Sequence, residues 1–113
     1  MKEIKAFVHR GRVAAIVQAL EHLGHKRLTV IDVRGLLQAI NPGEHDYSVQ
    51  IGERVTNEVR LELVCAESEV AAAVNAIRSK GFTGQTVSGW VYLTTIDDAW
   101  PIDGQQSTPT TPA

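Results

Sequence analysis

Twice along the chain a short strand-like run leads into an amphipathic helical pattern and then into a second strand-like run, and this recurrence limits the possible folds more than any other feature. In the first pass, residues 4–9 are apolar-rich and stop at Arg10-Gly11. Val13, Ile16, Val17, Leu20 and Leu23 then recur at helical spacing before Gly24, which suits a helix C-terminus. Residues 27–34, with the β-branched Thr29, Val30, Ile31 and Val33, read as a second strand ending at Gly35. In the second pass, Val59, Leu61, Leu63 and Cys65 alternate with Arg60 and Glu62, the period of a strand with one buried face. Behind Ser68, a suitable N-cap, Val70, Ala73, Val74 and Ile77 make one helical stripe closed by Lys80 and Gly81, and residues 90–96 read as the last strand.

This order is a duplicated split βαβ unit. Each helix carries one apolar stripe, and the sheet is the only surface available to bury it. The expectation is therefore a ferredoxin-like α+β domain, a four-stranded antiparallel sheet with both helices on one face. Its other face is left uncovered. Apolar neighbours such as Val30 and Ile31, or Leu63 and Val64, put apolar side chains on both faces, which implies that another subunit covers the second one.

A chain of 113 residues suits one domain that buries a core without disulfides or a metal. Its 43% apolar and 21% charged content implies neither disorder nor membrane insertion. A formal charge of -2 gives no basic excess for a nucleic-acid backbone, so nucleic acid is excluded as the main partner. Cys65 is the one cysteine and lies in an apolar run, where a buried core thiol is expected. The N-terminal residues turn polar too soon for a secretory signal, so a cytoplasmic location is expected. Residues 1–102 are expected to form the domain and residues 103–113, rich in Gln, Ser, Thr and Pro, a disordered tail.

Two connections are candidates for function. Residues 36–58 are long for a loop within a small domain, and hold Asn41-Pro42-Gly43-Glu44-His45-Asp46 and a short alternating stretch at 47–51. They fit either an extended hairpin or a loop that docks into a partner. Residues 83–89, Thr83-Gly84-Gln85-Thr86-Val87-Ser88-Gly89, carry glycines that let backbone N–H groups approach an anion, although such residues also make ordinary turns. Of His9, His22, His25 and His45, only His45 has metal-type donors beside it, in Glu44 and Asp46; the histidines are otherwise expected to be exposed. Trp90 and Trp100 are expected to be core or interface aromatics.

Met1-Lys2-Glu3-Ile4-Lys5-Ala6-Phe7 before a helix, Thr29-Val30-Ile31-Asp32-Val33-Arg34-Gly35, Val59-Arg60-Leu61-Glu62-Leu63-Val64, and Thr83-Gly84 through Gly89 into Trp90-Val91-Tyr92-Leu93 resemble the successive blocks of the PII signal-transduction family. The resemblance runs from Met1 to about Ile102. It implies a homotrimer, an adenine nucleotide as effector in clefts between subunits, and regulation of a membrane transporter or enzyme through the loop at 36–58, with Gln38, Glu44, His45 and Tyr47 on its partner-facing surface. It also implies a nucleotide cleft of Thr29, Gly35, Glu62 and Val64 facing Val87, Ser88, Gly89 and Trp90. The implied role is signalling, linked in the family to nitrogen regulation, rather than catalysis.

Departures from the family pattern are specific. Val87-Ser88-Gly89-Trp90 stands where Gly-Asp-Gly-Lys is usual, and Pro101 and Asp103 stand where arginines are usual. Each lost charge-assisted phosphate contact costs about 1.5–3 kcal/mol, so ordinary ATP affinity is expected to fall or vanish. Gln38 lies near the usual oxoglutarate glutamine, but Glu58 replaces the usual lysine and would repel a dicarboxylate. The loop looks more like that of a variant branch, some members of which accompany heavy-metal efflux systems; the alternative implied is a metal-responsive accessory protein that binds no nucleotide, with His45 as a ligand. Other users of this fold fit less well: a small phosphatase needs a Gly-rich anion loop after the first strand, an RNA-binding sheet needs aromatics on its central strands, and residues 59–65 have none. A metal chaperone would need a second cysteine.

Overall fold

The computed structural model describes residues 1–32, 58–104 and 108–112. The expected partner loop lies outside the described residues apart from Glu58, as do Val33, Arg34 and Gly35 and residues 105–107 and 113 of the expected tail. The described elements are β1 (Lys2–His9), α1 (Val13–His22), β2 (Thr29–Asp32), β3 (Glu58–Cys65), α2 (Val70–Lys80) and β4 (Trp90–Thr95), with a single 3-10 turn leading into each helix at Arg10–Arg12 and Glu67–Glu69. They form one sheet in the order β2-β3-β1-β4, every neighbouring pair antiparallel. This is the ferredoxin-like α+β arrangement that the duplicated pattern demands.

The central β1 and β3 pair along their full lengths, from Lys2 opposite Cys65 to His9 opposite Glu58. That register puts Ile4, Ala6 and Val8 on the same face as Val59, Leu61, Leu63 and Cys65, and Ile16, Leu20, Ala73 and Ile77 from the two helices close over them. All eleven are buried, and Ile4, Ala6, Ile16, Leu20 and Ala73 have no exposed surface. The helical stripes read from the sequence are thus the core contacts. β2 begins at Thr29 rather than at Arg27, where the sequence pattern starts it. It pairs only from Thr29 to Asp32 among the described residues, and Val30 on this edge strand is half-exposed.

Helix α1 ends in a Schellman motif. The Gly24 N–H donates to the Glu21 carbonyl at 2.9 Å and the His25 N–H to the Leu20 carbonyl at 3.1 Å, with Gly24 at φ +94°. The motif turns the His25 side chain inward, leaving it only 8% exposed. This corrects the expectation that the histidines are exposed; His9 and His22 do lie at the surface. The start of α2 also differs from expectation. Ser68 sits inside the 3-10 turn with no capping bond, and instead the Glu69 carboxylate accepts from the Ala66 N–H at 3.0 Å. A carboxylate in this first turn also favours the positive end of the helix dipole.

Gly89 leads into β4. A Cβ there would lie 2.1 Å from the carbonyl oxygen of Phe7, and its φ is +154°, so only glycine lets the chain enter beside β1. Gly89→Ala is expected to cost on the order of 1–3 kcal/mol, read by urea unfolding. Leu61→Ala, at the centre of the core, should cost about 2–5 kcal/mol in the same assay. Cys65 is a buried free thiol whose pKa is pushed up from the ordinary thiol value, by burial first and by the Glu69 carboxylate second, with the N-terminal ammonium opposing. A thiol held protonated by the fold contributes stability that is complete below its unfolded pKa and is lost as pH rises through the higher folded value. The Cys65→Ala variant should therefore lose less stability than the parent as pH rises above about 8.5, and equal losses would contradict this.

Candidate functional site

Two sets of predicted site residues fall among the described ones, and the sheet order separates them. Thr29 on β2 is paired with Glu62 on β3, and strand alternation puts Val64 on the same face, away from the helices. Val87, Ser88 and Gly89 precede β4, and Trp90 begins it at the opposite edge of the sheet. Trp90 is paired with Phe7 and Phe7 with Arg60, so Trp90 stands two strands from β3 and level with Arg60. At about 4.8 Å between strands and 3.3 Å per residue, Val64 lies roughly 16 Å from Trp90. One chain does not bring the two sets together.

The open face of the sheet is mixed in character. Glu62 is paired with Lys5 across the strands, the Lys5 Nζ being 3.9 Å from its Oε1, and the Arg60 Nε lies 3.0 Å from the same oxygen. That Arg60 N–H is not aimed at the carboxylate, and Nε is buried without a hydrogen bond among the described residues. Beside these charges, Phe7 and Tyr92 meet edge to face at 5.9 Å, and Trp90 continues the aromatic row. Trp90 and Tyr92 are 61% and 50% exposed. The aromatic row was not anticipated, although the two-residue spacing of Trp90 and Tyr92 signals a shared strand face. Trp100 is likewise exposed at 59%, so neither tryptophan is a core residue of the single chain.

The 83–89 loop is closed by its own side chains. Ser88 Oγ accepts from the Thr83 N–H at 2.9 Å and lies 3.0 Å from Thr83 Oγ1. Ser88 therefore shapes the loop, and no cation stands among Val87, Ser88, Gly89 and Trp90. With Phe82 and the α2 residues Val74 and Arg78, the loop lines a groove of about 870 Å³ that is mostly apolar. At the same end of β1, Arg10 Nη1 and Asp32 Oδ1 are 2.8 Å apart, tying the first helical turn to β2. Glu58, the residue in place of the family's lysine, is the exposed first residue of β3, opposite His9.

Gly35, Gln38, Glu44, His45 and Tyr47 lie outside the described residues. Among the described residues, no group of three or more His, Cys, Asp or Glu side chains is placed to hold a metal ion, and no helix is long and apolar enough to cross a membrane. His9 uses Nδ1 to accept from the Gly11 N–H at 3.0 Å, which closes the turn after β1.

Comparison with known proteins agrees with this architecture. The nitrogen regulatory protein P-II family model matches residues 1–106. The chain is 28% identical over 98 residues to nitrogen regulatory protein P-II 1 of Methanothermobacter thermautotrophicus, covering 87% of this chain and 85% of that one. It is 28% identical over 109 residues to nitrogen fixation nifHD region GlnB-like protein 1 of Methanobacterium ivanovii, covering 90% and 93%. A rice relative, nitrogen regulatory protein P-II homolog of Oryza sativa subsp. japonica, is 28% identical over 97 residues, and the matched region spans only 46% of its length. With the duplicated ferredoxin-like unit, its strand order and a family match over nearly the whole chain in agreement, the chain belongs to the nitrogen regulatory protein P-II family as a divergent member.

Proposed function

We propose that the chain works as a homotrimeric regulator that binds an adenine nucleotide or a related small anion between subunits and controls a membrane transporter or enzyme through residues 36–58. The observation that carries this reading is the separation of the two half-sites. Thr29, Glu62 and Val64 lie toward one edge of the sheet, and Val87, Ser88, Gly89 and Trp90 lie at the other. A complete cleft then needs one set from each of two copies, with Gly35 joining the first set. The open sheet face supports the assembly, because half-buried charges and exposed aromatics form a surface suited to an interface rather than to water alone. Gln38, Glu44, His45 and Tyr47 would meet the regulated partner.

The uncharged loop shapes the effector preference. With no cation among residues 87–90, phosphate number should contribute little, and recognition should rest on the base, with Trp90 as a stacking surface. Light scattering should give three times the 12.3 kDa chain mass. Calorimetry should then show AMP, ADP and ATP binding within about tenfold of one another and more tightly than about 100 µM, and Trp90→Ala should weaken all three. A trimer that gives no heat with any adenine nucleotide would remove the nucleotide from this reading, and a monomer would remove the cleft itself.

A further inference from the structure

Neither the apolar core nor either candidate half-site uses the imidazole that the end of α1 turns inward. His25 is 8% exposed, and its ring makes no hydrogen bond among the described residues. A nearly buried polar side chain is ordinarily hydrogen-bonded, and one that is not calls for a reason. The ring lines a groove of about 420 Å³ together with Val17, Glu21, Lys26, Leu28 and Val30. Small-molecule sites run from about 300 to 1,000 Å³, so this groove has the size for a small ligand.

Local structure builds the groove from one chain. Val17 and Glu21 stand one turn apart on α1 and share a face. The Schellman turn brings the chain back so that His25 joins them, Lys26 and Leu28 follow in the connection, and Val30 comes from β2. Val30 is paired with the core residue Leu61 and so lies on the helix side of the sheet, whereas Thr29 beside it belongs to the opposite face and the nucleotide half-site. The groove is therefore separate from the cleft between subunits. Its floor is apolar, and Val30 stays 49% exposed because no described element covers it.

The rim carries one charge of each sign. Glu21 and Lys26 are exposed, and neither forms an ion pair among the described residues. Glu21 lies in the last turn of α1, where the negative end of the helix dipole adds to its attraction for a cation. Lys26, beyond the turn, offers three N–H donors to an anion, and the imidazole can donate or accept. Glu21 and His25 alone do not make a metal site, because no group of three such donors exists among the described residues. A ligand with an ammonium, a carboxylate and an apolar side chain answers every part of the groove. We propose that it binds a free aliphatic α-amino acid, with the ammonium at Glu21, the carboxylate at Lys26 and the side chain on Val17, Leu28 and Val30, the His25 ring completing the polar contacts.

The test uses L-leucine as the probe, titrated into the full chain carrying 13C-labelled histidine, with the His25 ring signal identified by its loss in His25→Gln. That signal should move saturably with a Kd below about 1 mM, while the His9 signal stays in place. Isovalerate, which lacks the ammonium, and isopentylamine, which lacks the carboxylate, should each bind at least about tenfold more weakly. Glu21→Gln and Lys26→Gln, both at exposed positions, should weaken leucine to a similar degree with little change in the urea unfolding midpoint. Trp90→Ala should leave leucine binding unchanged, which separates this site from the nucleotide reading. A His25 signal that does not move up to about 10 mM leucine overturns the proposal. So does equal binding of leucine and isovalerate, or undiminished affinity in both charge variants.

Discussion

The antiparallel pairing of β1 with β3 is the contact on which the rest of the molecule depends. Its register sets Ile4 beside Leu63, Ala6 beside Leu61 and Val8 beside Val59 on one face, and only with those residues aligned is there an apolar floor for both helices. A slip of one position would turn one strand over, placing Arg60 and Glu62 or Lys5 under the helices as charges without water. The two edge strands extend this central pair, β2 along β3 and β4 along β1, with Thr29 of one candidate set on β2 and Trp90 of the other at the start of β4.

The same alternation determines the opposite face. Because the inward positions are all apolar, Lys5, Arg60 and Glu62 must share the outer face, where the one Glu62 carboxylate lies beside both cations and offsets one of their two charges. Pairs still partly open to water, as Lys5 with Glu62 is, contribute little stability, typically about 0–1 kcal/mol. Their consequence is for specificity, since any surface that covers this face must accept a charged centre flanked by Phe7, Tyr92 and Trp90. The outer face thus differs from both a solvated sheet and a core, and the proposed assembly follows from that difference as much as from family membership.

Glycine placement decides how the chain enters and leaves this frame. Gly24 takes the left-handed conformation that ends α1 and turns His25 inward. Gly89 makes the approach to the Phe7 carbonyl that starts β4. Between α2 and β4, the clasp of Thr83 on Ser88 holds the loop in shape without any charge.

The element order, the helical stripes and the buried face of β3 were legible in the sequence, because period 2 and period 3.6 record which side chains face a core. So was the family resemblance, carried by the blocks around Thr29, Glu62 and Gly89. Other features depended on contacts between residues distant in sequence. The burial of His25 comes from a helix-end motif, and the capping of α2 passed from Ser68 to Glu69 because the chain enters that helix through a 3-10 turn. The aromatic row joins β1 to β4 across more than eighty residues, and the exposure of Trp90 and Trp100 reflects surfaces that no other described element covers. By itself the sequence determined the layers and the inward residues, since these follow from local periodicity. Only the tertiary structure decided that the two candidate half-sites stand apart, because strand order in space is set by which pairings bury the most apolar surface, and no local pattern encodes that choice.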